Sequence, residues 1–216
     1  NKLIILLFSF FLISGCSSIK ETNSSKNIQV YTSANQTNLR LSKSDTLLYF
    51  KEMKQPLETQ VCIFVSPNKK FAAITNNGQS TQSIQLIDAK SEKVIDSVAI
   101  GKSFYGLQFS ADEKYLFASG GHDNIIIKYA IKDKHLFNTD TFKLGKPWPT
   151  AIGPSGIALD EKRNLLYVVT REDRQLYIFD LKTKQFVKKL SIDGEAYACI
   201  MNPNNNELYV SCWGCD

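Results

Sequence analysis

The chain has 216 residues, of which 43% are hydrophobic and 22% charged, an ordinary globular composition with enough apolar residues for one sizeable core. Its 26 basic and 21 acidic residues leave a formal charge of +5, too mild for composition alone to imply a single-sign field around the molecule.

The first element is apolar. Lys2 precedes the run "LIILLFSFFLI" over residues 3–13, which is short for a membrane-spanning helix and has the size of a signal-peptide core. Ile13-Ser14-Gly15-Cys16 follows and resembles the bacterial lipobox. Residues 1–15 are therefore expected to be a signal helix that is removed. Cys16 would carry the lipid and anchor the chain to the membrane, placing it in the cell envelope. Residues 16–38 are rich in Ser, Asn and Thr and read as a polar tether.

Past the tether the chain reads as all-β, with its domain over residues 39–216. "TLLYF" (46–50) is expected to be an outer strand that latches the last blade. "FAAIT", "YLFAS", "LLYVVT" and "ELYVS" are short, apolar and rich in β-branched and aromatic residues. After a polar gap each of the first three is followed by a member of a second set, "IQLID", "IIIKYA" or "LYIFD". Further strands come next in "KVIDSVAI" and "QFVKKLSI". Turn formers such as "SPNKK", "SADEK" and "NPNNN" punctuate them. The unit recurs at roughly 40–50 residues, the spacing of four-stranded propeller blades. The reading is an incomplete β-propeller of about three and a half blades out of seven. The pattern stops inside the fourth unit, so the chain is expected to be a fragment.

Four stretches, "SPNKKFAAITNNGQSTQSIQLID", "LGKPWP", "LDEKRNLLYVVTREDRQLYIFDLKTK" and "LYVSCWGCD", resemble YVTN repeats of the YncE-like propeller family. The chain departs from that pattern at Ala130, which stands where the other units have Asp88 and Asp180. More narrowly, it looks like the N-terminal propeller of bacterial two-part proteins that also carry an alkaline-phosphatase-like phosphoesterase domain. That resemblance implies partners within the parent protein: the rest of the propeller and a C-terminal domain.

In an up-and-down blade, the loop between strands two and three shares an end with the connection to the next blade. One end therefore collects the loops containing Asn77, His122, Arg171 and Trp213. The blade connections containing Tyr105, Trp148 and Tyr197 join them there. Exposed aromatics, Phe104 included, gather at this end, which is the expected ligand face. The opposite end alternates lysines with acids and reads as a solvated, charge-balanced turn face, which disfavours nucleic acid as a partner.

His122 and His135 are the only histidines, and no grouping has metal-ligand spacing, so neither a metal site nor a cofactor is expected. No nucleophile elbow or phosphate loop appears. Cys212 and Cys215 form a Cys-x-x-Cys without the strand-to-helix setting of a redox dithiol, and a disulfide between them after export remains open. Cys62 and Cys199 read as small buried strand residues. The function expected is a non-catalytic binding or scaffold module for an unknown ligand or protein. The alternatives are a lactonase-like enzymatic propeller and a single-stranded nucleic-acid binder.

Overall fold

The computed structural model describes residues 62–77, 81–202, 204 and 206–214, together with the backbone of four earlier strands. Two compact units are present, Ser9–Leu57 and the combination of Asn1–Phe8 with Glu58–Asp216.

The first strand, β1 (Ile4–Leu7), lies in the apolar run expected to be a signal helix. It pairs in parallel with the last strand of the chain, Ile4 opposite Tyr209 and Leu7 opposite Cys212. A short aliphatic run suits a helix or a strand equally, and an open sheet edge supplies the backbone partners that decide for the strand. The unit Ser9–Leu57 holds β2 (Gln29–Ser33), β3 (Gln36–Lys43) and β4 (Thr46–Tyr49) as an antiparallel sheet. The tether thus gives way to strands at Gln29, where Val30, Tyr31 and Thr32 bring strand propensity. Thr46–Tyr49, expected to be a latch for the last blade, pairs with β3 in this sheet.

Three complete blades follow. Blade 1 is β5 (Ile63–Val65), β6 (Phe71–Asn76), β7 (Ser83–Asp88) and β8 (Lys93–Ala99). Blade 2 is β9 (Leu107–Phe109), β10 (Tyr115–Ser119), β11 (Ile125–Lys132) and β12 (His135–Lys143). Blade 3 is β13 (Pro154–Asp160), β14 (Leu165–Thr170), β15 (Gln175–Asp180) and β16 (Phe186–Ser191). A fourth sheet begins with β17 (Glu195–Asn202) and β18 (Glu207–Trp213). Each blade is an antiparallel meander in chain order, and the fold is an all-β propeller.

The second strand of each blade reads as continuously apolar because both its faces are buried. Leu116 and Ala118 pack toward blade 1 with Leu86 and Phe109, whereas Phe117 packs toward blade 3 with Leu166 and Val168. Leu166 and Val168 in turn alternate with Tyr167 and Val169, which face the fourth sheet. Period-two alternation here divides residues between two neighbours rather than between core and water.

Close approach of the inner strands requires glycine. A Cβ at Gly106 would stand 2.0 Å from the Ser155 carbonyl oxygen, and one at Gly156 would stand 2.7 Å from Ala198 Cα. Ser155 Oγ completes this layer by donating to the Ala196 carbonyl at 2.6 Å.

At the turn end, carboxylates clasp the preceding blade. Glu113 Oε1 accepts from the Asn68 N–H at 2.7 Å, and Glu161 Oε1 from the Ala111 N–H at 2.6 Å. Two lysines reach back in the same direction, Lys134 to Asp88 at 3.0 Å and Lys184 to Asp140 at 2.7 Å.

Candidate functional site

A rim of loops forms at the other end of the blades. Asn124 organises it. It is fully buried, adopts the left-handed conformation and follows the short 3-10 turn Gly121–Asp123. Its Nδ2 donates to the carbonyls of Lys146 and Thr150, both at 2.7 Å, and its Oδ1 accepts from the Gly153 N–H at 3.1 Å. The blade 2 loop thereby holds the whole connection between β12 and β13. Backbone bonds then stitch that connection to its flanks. The Trp148 N–H donates to the His122 carbonyl at 2.9 Å, and the Arg171 N–H donates to the Gly153 carbonyl at 3.0 Å. Gly153 sits at φ +63°, and a Cβ there would meet Glu172 Cγ at 3.1 Å.

Glu172 is the electrostatic hub of the rim. Its Oε1 lies 3.2 Å from His122 Nε2 and 2.8 Å from an Arg171 Nη2. Burial, the largest single influence, works against the Arg171 charge, but Glu172 and Tyr197 together, through hydrogen bonds and charge, outweigh it and raise the guanidinium pKa above its ordinary value. Arg171 also lies over the Phe104 ring, 5.2 Å from its centroid. Phe104 meets Tyr105 edge-on at 4.5 Å, and Tyr197 approaches both rings at 6.4 and 6.2 Å. Tyr197 reaches this cluster from a β-bulge between Ala196 and Ala198, an irregularity that re-aims a side chain. Burial pushes the Tyr105 and Tyr197 phenols upward.

Beside the cluster lies a cleft of about 250 Å³ lined by residues from three successive blades and the connections between them. Asn77 and Gln82 come from blade 1, Lys102, Ser103 and Phe104 from the connection after it, and His122 from blade 2. Gly153, Pro154 and Arg171 close the far side. Ser103 joins the first two parts, its N–H donating to Gln82 Oε1 at 2.5 Å.

Of the residues singled out in the sequence, Asn77, His122 and Arg171 line the cleft. Tyr105 and Tyr197 pack around Phe104, which lines it. Trp148 lies tilted against the His122 ring, centroids 5.2 Å apart, and is 62% exposed. Trp213 is not among the lining residues and sits, 60% exposed, opposite Glu195 at the end of β18. Cys16 and Cys215 fall outside the described residues. Cys62 and Cys199 are half-buried, with thiols that burial pushes up to about 11 and about 12. Sequence reasoning passed over Gln82, Lys102, Ser103 and Glu172. Only their position on converging loops distinguishes them, since none belongs to a motif.

The lysines and aromatics, expected to segregate to opposite ends, do so incompletely. Lys102 and Arg171 share the cleft with Phe104 because the blade connections and the inner loops meet at one end.

No family model matches the chain, and no curated protein matches it. Among solved structures, it is similar to a functionally unknown protein from Desulfotomaculum acetoxidans, with a TM-score of 0.65 and 13% identity over 81% of this chain and 55% of that one. It is also similar to the β-propeller domain of Myceliophteria thermophila Cps50 (Swd1), with a TM-score of 0.62 and 13% identity over 83% of this chain and 62% of that one. A third likeness is to hydrazine synthase of Kuenenia stuttgartiensis, with a TM-score of 0.56 and 17% identity over 71% of this chain and 43% of that one. The chain thus spans less than two thirds of each of these structures, and at such identities the likeness is one of fold.

Proposed function

We propose that the chain is a non-catalytic binding and scaffold propeller whose ligand face is the loop end. The observation that carries this reading is the cleft itself, assembled from three blades on a rim that Asn124 and Glu172 hold in place. Binding sites concentrate on loops that a rigid scaffold positions, and a pre-ordered rim lowers the entropy lost on binding. Ser103 supports binding over nucleophilic chemistry. Its Oγ lies 3.3 Å from the Asn76 carbonyl and from Gln82 Oε1, neither of which is a base that would activate it.

The wider setting rests on sequence resemblance. The propeller is of YncE-like type and is exported to the cell envelope, lipid-anchored through Cys16, with a phosphoesterase domain elsewhere in its parent protein. A metabolically incorporated alkyne fatty acid should label the wild-type chain and not Cys16→Ala, and equal labelling of both removes the anchor. Hydrogen exchange of the chain with and without an envelope extract tests the ligand face. Protection is expected in loops 77–82, 101–106, 120–124, 145–153 and 171–174. Protection confined to the turns at 89–92 and 133–134 would move the site to the other end, and none at all would remove the binding role.

A further inference from the structure

The wall of the cleft has a composition that selects among ligands. Lys102, His122 and Arg171 line it, and among the described residues no Asp or Glu side chain does. Glu172 and Asp123 are the carboxylates nearest in sequence to the wall, but neither lines it. Glu172 is engaged with His122 and Arg171, while Asp123 lies beside Gly101. Lys102 has no ion-pair partner among the described residues. Among the described residues the wall therefore presents one unpaired cation, Lys102, beside the Arg171–Glu172 ion pair, with Arg171 held in place by Glu172 and by the Phe104 ring.

A bare anion would leave one feature unexplained. Asn77 Oδ1 is buried and has no hydrogen-bond partner among the described residues. A buried amide oxygen without a donor costs free energy, and a turn of the Asn77 side chain that brings this oxygen to the cleft would let a bound O–H or N–H recover it. Gln82 and Ser103 add further polar groups beside it, and Phe104 adds one apolar surface. At about 250 Å³ the space suits a ligand the size of a single sugar and not an extended chain.

We propose that this cleft binds a small polyhydroxylated anion, a sugar acid or a sugar phosphate, with Lys102 and Arg171 on its charged group and the Asn77 side-chain oxygen on a hydroxyl. The proposal rests on the ligand-face reading above and narrows it to one chemical class. Lys102 and Arg171 supply the attraction, Asn77 the preference for a hydroxylated over a bare anion, and Phe104 a flat surface for the C–H face of a ring.

Isothermal titration of the purified chain tests it. The probes are D-glucuronate, D-galacturonate, D-glucose 6-phosphate, D-glucose, acetate and inorganic phosphate. At least one sugar anion should bind about tenfold or more tightly than glucose and than its matching bare anion. Which one does so separates a carboxylate from a phosphoryl ligand. Lys102→Gln, an exposed change, should lower that affinity several-fold, and Arg171→Gln should lower it about tenfold or more. Asn77→Leu should abolish the preference over the bare anion. Melting curves establish that each variant is folded, and if Arg171→Gln is not, Lys102→Gln decides alone. Equal binding of glucose, equal binding of the bare anions, or no heat from any probe overturns the proposal. So does binding of a twelve-residue oligothymidylate that depends on Lys102 while the sugar anions stay silent. If envelope extract still protects the loops when these probes fail, the ligand class is wrong and the ligand face stands. If no extract protects them, the face itself has failed.

Discussion

Asn124 shows how much of the candidate site depends on one side chain. Its amide makes three hydrogen bonds to the connection that carries Trp148, and its backbone sits at φ 54°. Asn tolerates that region better than most residues with a side chain. Asn124→Ala removes all three bonds, strands the Lys146 carbonyl and the Gly153 N–H, leaves the Thr150 carbonyl with the Ile152 N–H alone, and adds backbone strain. A loss of about 3 kcal/mol is expected, read as a lower urea midpoint at unchanged slope. Asn124→Gly relieves the strain alone, so it should recover well under half of that loss. Full recovery would show that conformation, not hydrogen bonding, is what Asn124 provides. In either variant the 145–153 segment should exchange faster than the blade strands, because its anchors are gone.

At the level of the strand and its turn, the repeat is uneven in an informative way. Asp88 Oδ1 accepts from the Lys90 and Ser91 N–H groups, and Asp180 Oδ1 from those of Lys182 and Thr183. In blade 2, Ala130 has no carboxylate to cap the hairpin. There β11 and β12 instead run on to the pair Lys132–His135, joined by Asp133 and Lys134, both at positive φ. The capping bonds hold the Asp88 carboxyl well below its usual range, the Ser91 N–H first and the Lys134 ammonium next. The Thr183 N–H leads the same effect at Asp180. A depressed folded-state pKa means that the unfolded chain binds more protons near pH 4. This stabilisation is therefore complete above about pH 5 and is lost progressively as pH falls through the unfolded-state value near 4 toward the depressed folded-state value. Asp88→Asn should lower stability at pH 7 and flatten the acid limb of a melting-temperature profile, whereas an unchanged acid limb would assign the acid sensitivity elsewhere.

The same unevenness explains what the sequence let through. The second and third strands of each unit were legible because two buried faces make a continuous apolar run. The inner strands β5 and β9 have only three residues each, too few for any periodicity to register. β12 was missed because "HLFNTDTFK" keeps only Leu136 and Phe142 fully inside. The loop end was legible from blade geometry, which brought Asn77, His122 and Arg171 to one cleft. Lys102 and Glu172 were not, because their roles depend on which loops touch and not on residue type.

Across the whole molecule, stability is built from nearest neighbours. Leu166 is fully buried between blades 2 and 3, so Leu166→Ala should cost about 3 kcal/mol. In a stacked array that loss is local. Hydrogen exchange should rise in β10, β11, β14 and β15 while β6 and β7 keep most of their protection. Equal acceleration everywhere would mean that the described blades unfold as one indivisible unit. The turn clasps add a direction to this array. The Asn68 N–H finds its acceptor in Glu113, 45 residues later, and the Ala111 N–H finds its own in Glu161, 50 residues later. At roughly 5–20 residues per second of synthesis, each such partner reaches the ribosome exit some 2–10 s after the turn that needs it. Blades 1 and 2 are thus each completed by their successor, and while they leave the ribosome the nascent chain carries one turn still waiting for its carboxylate.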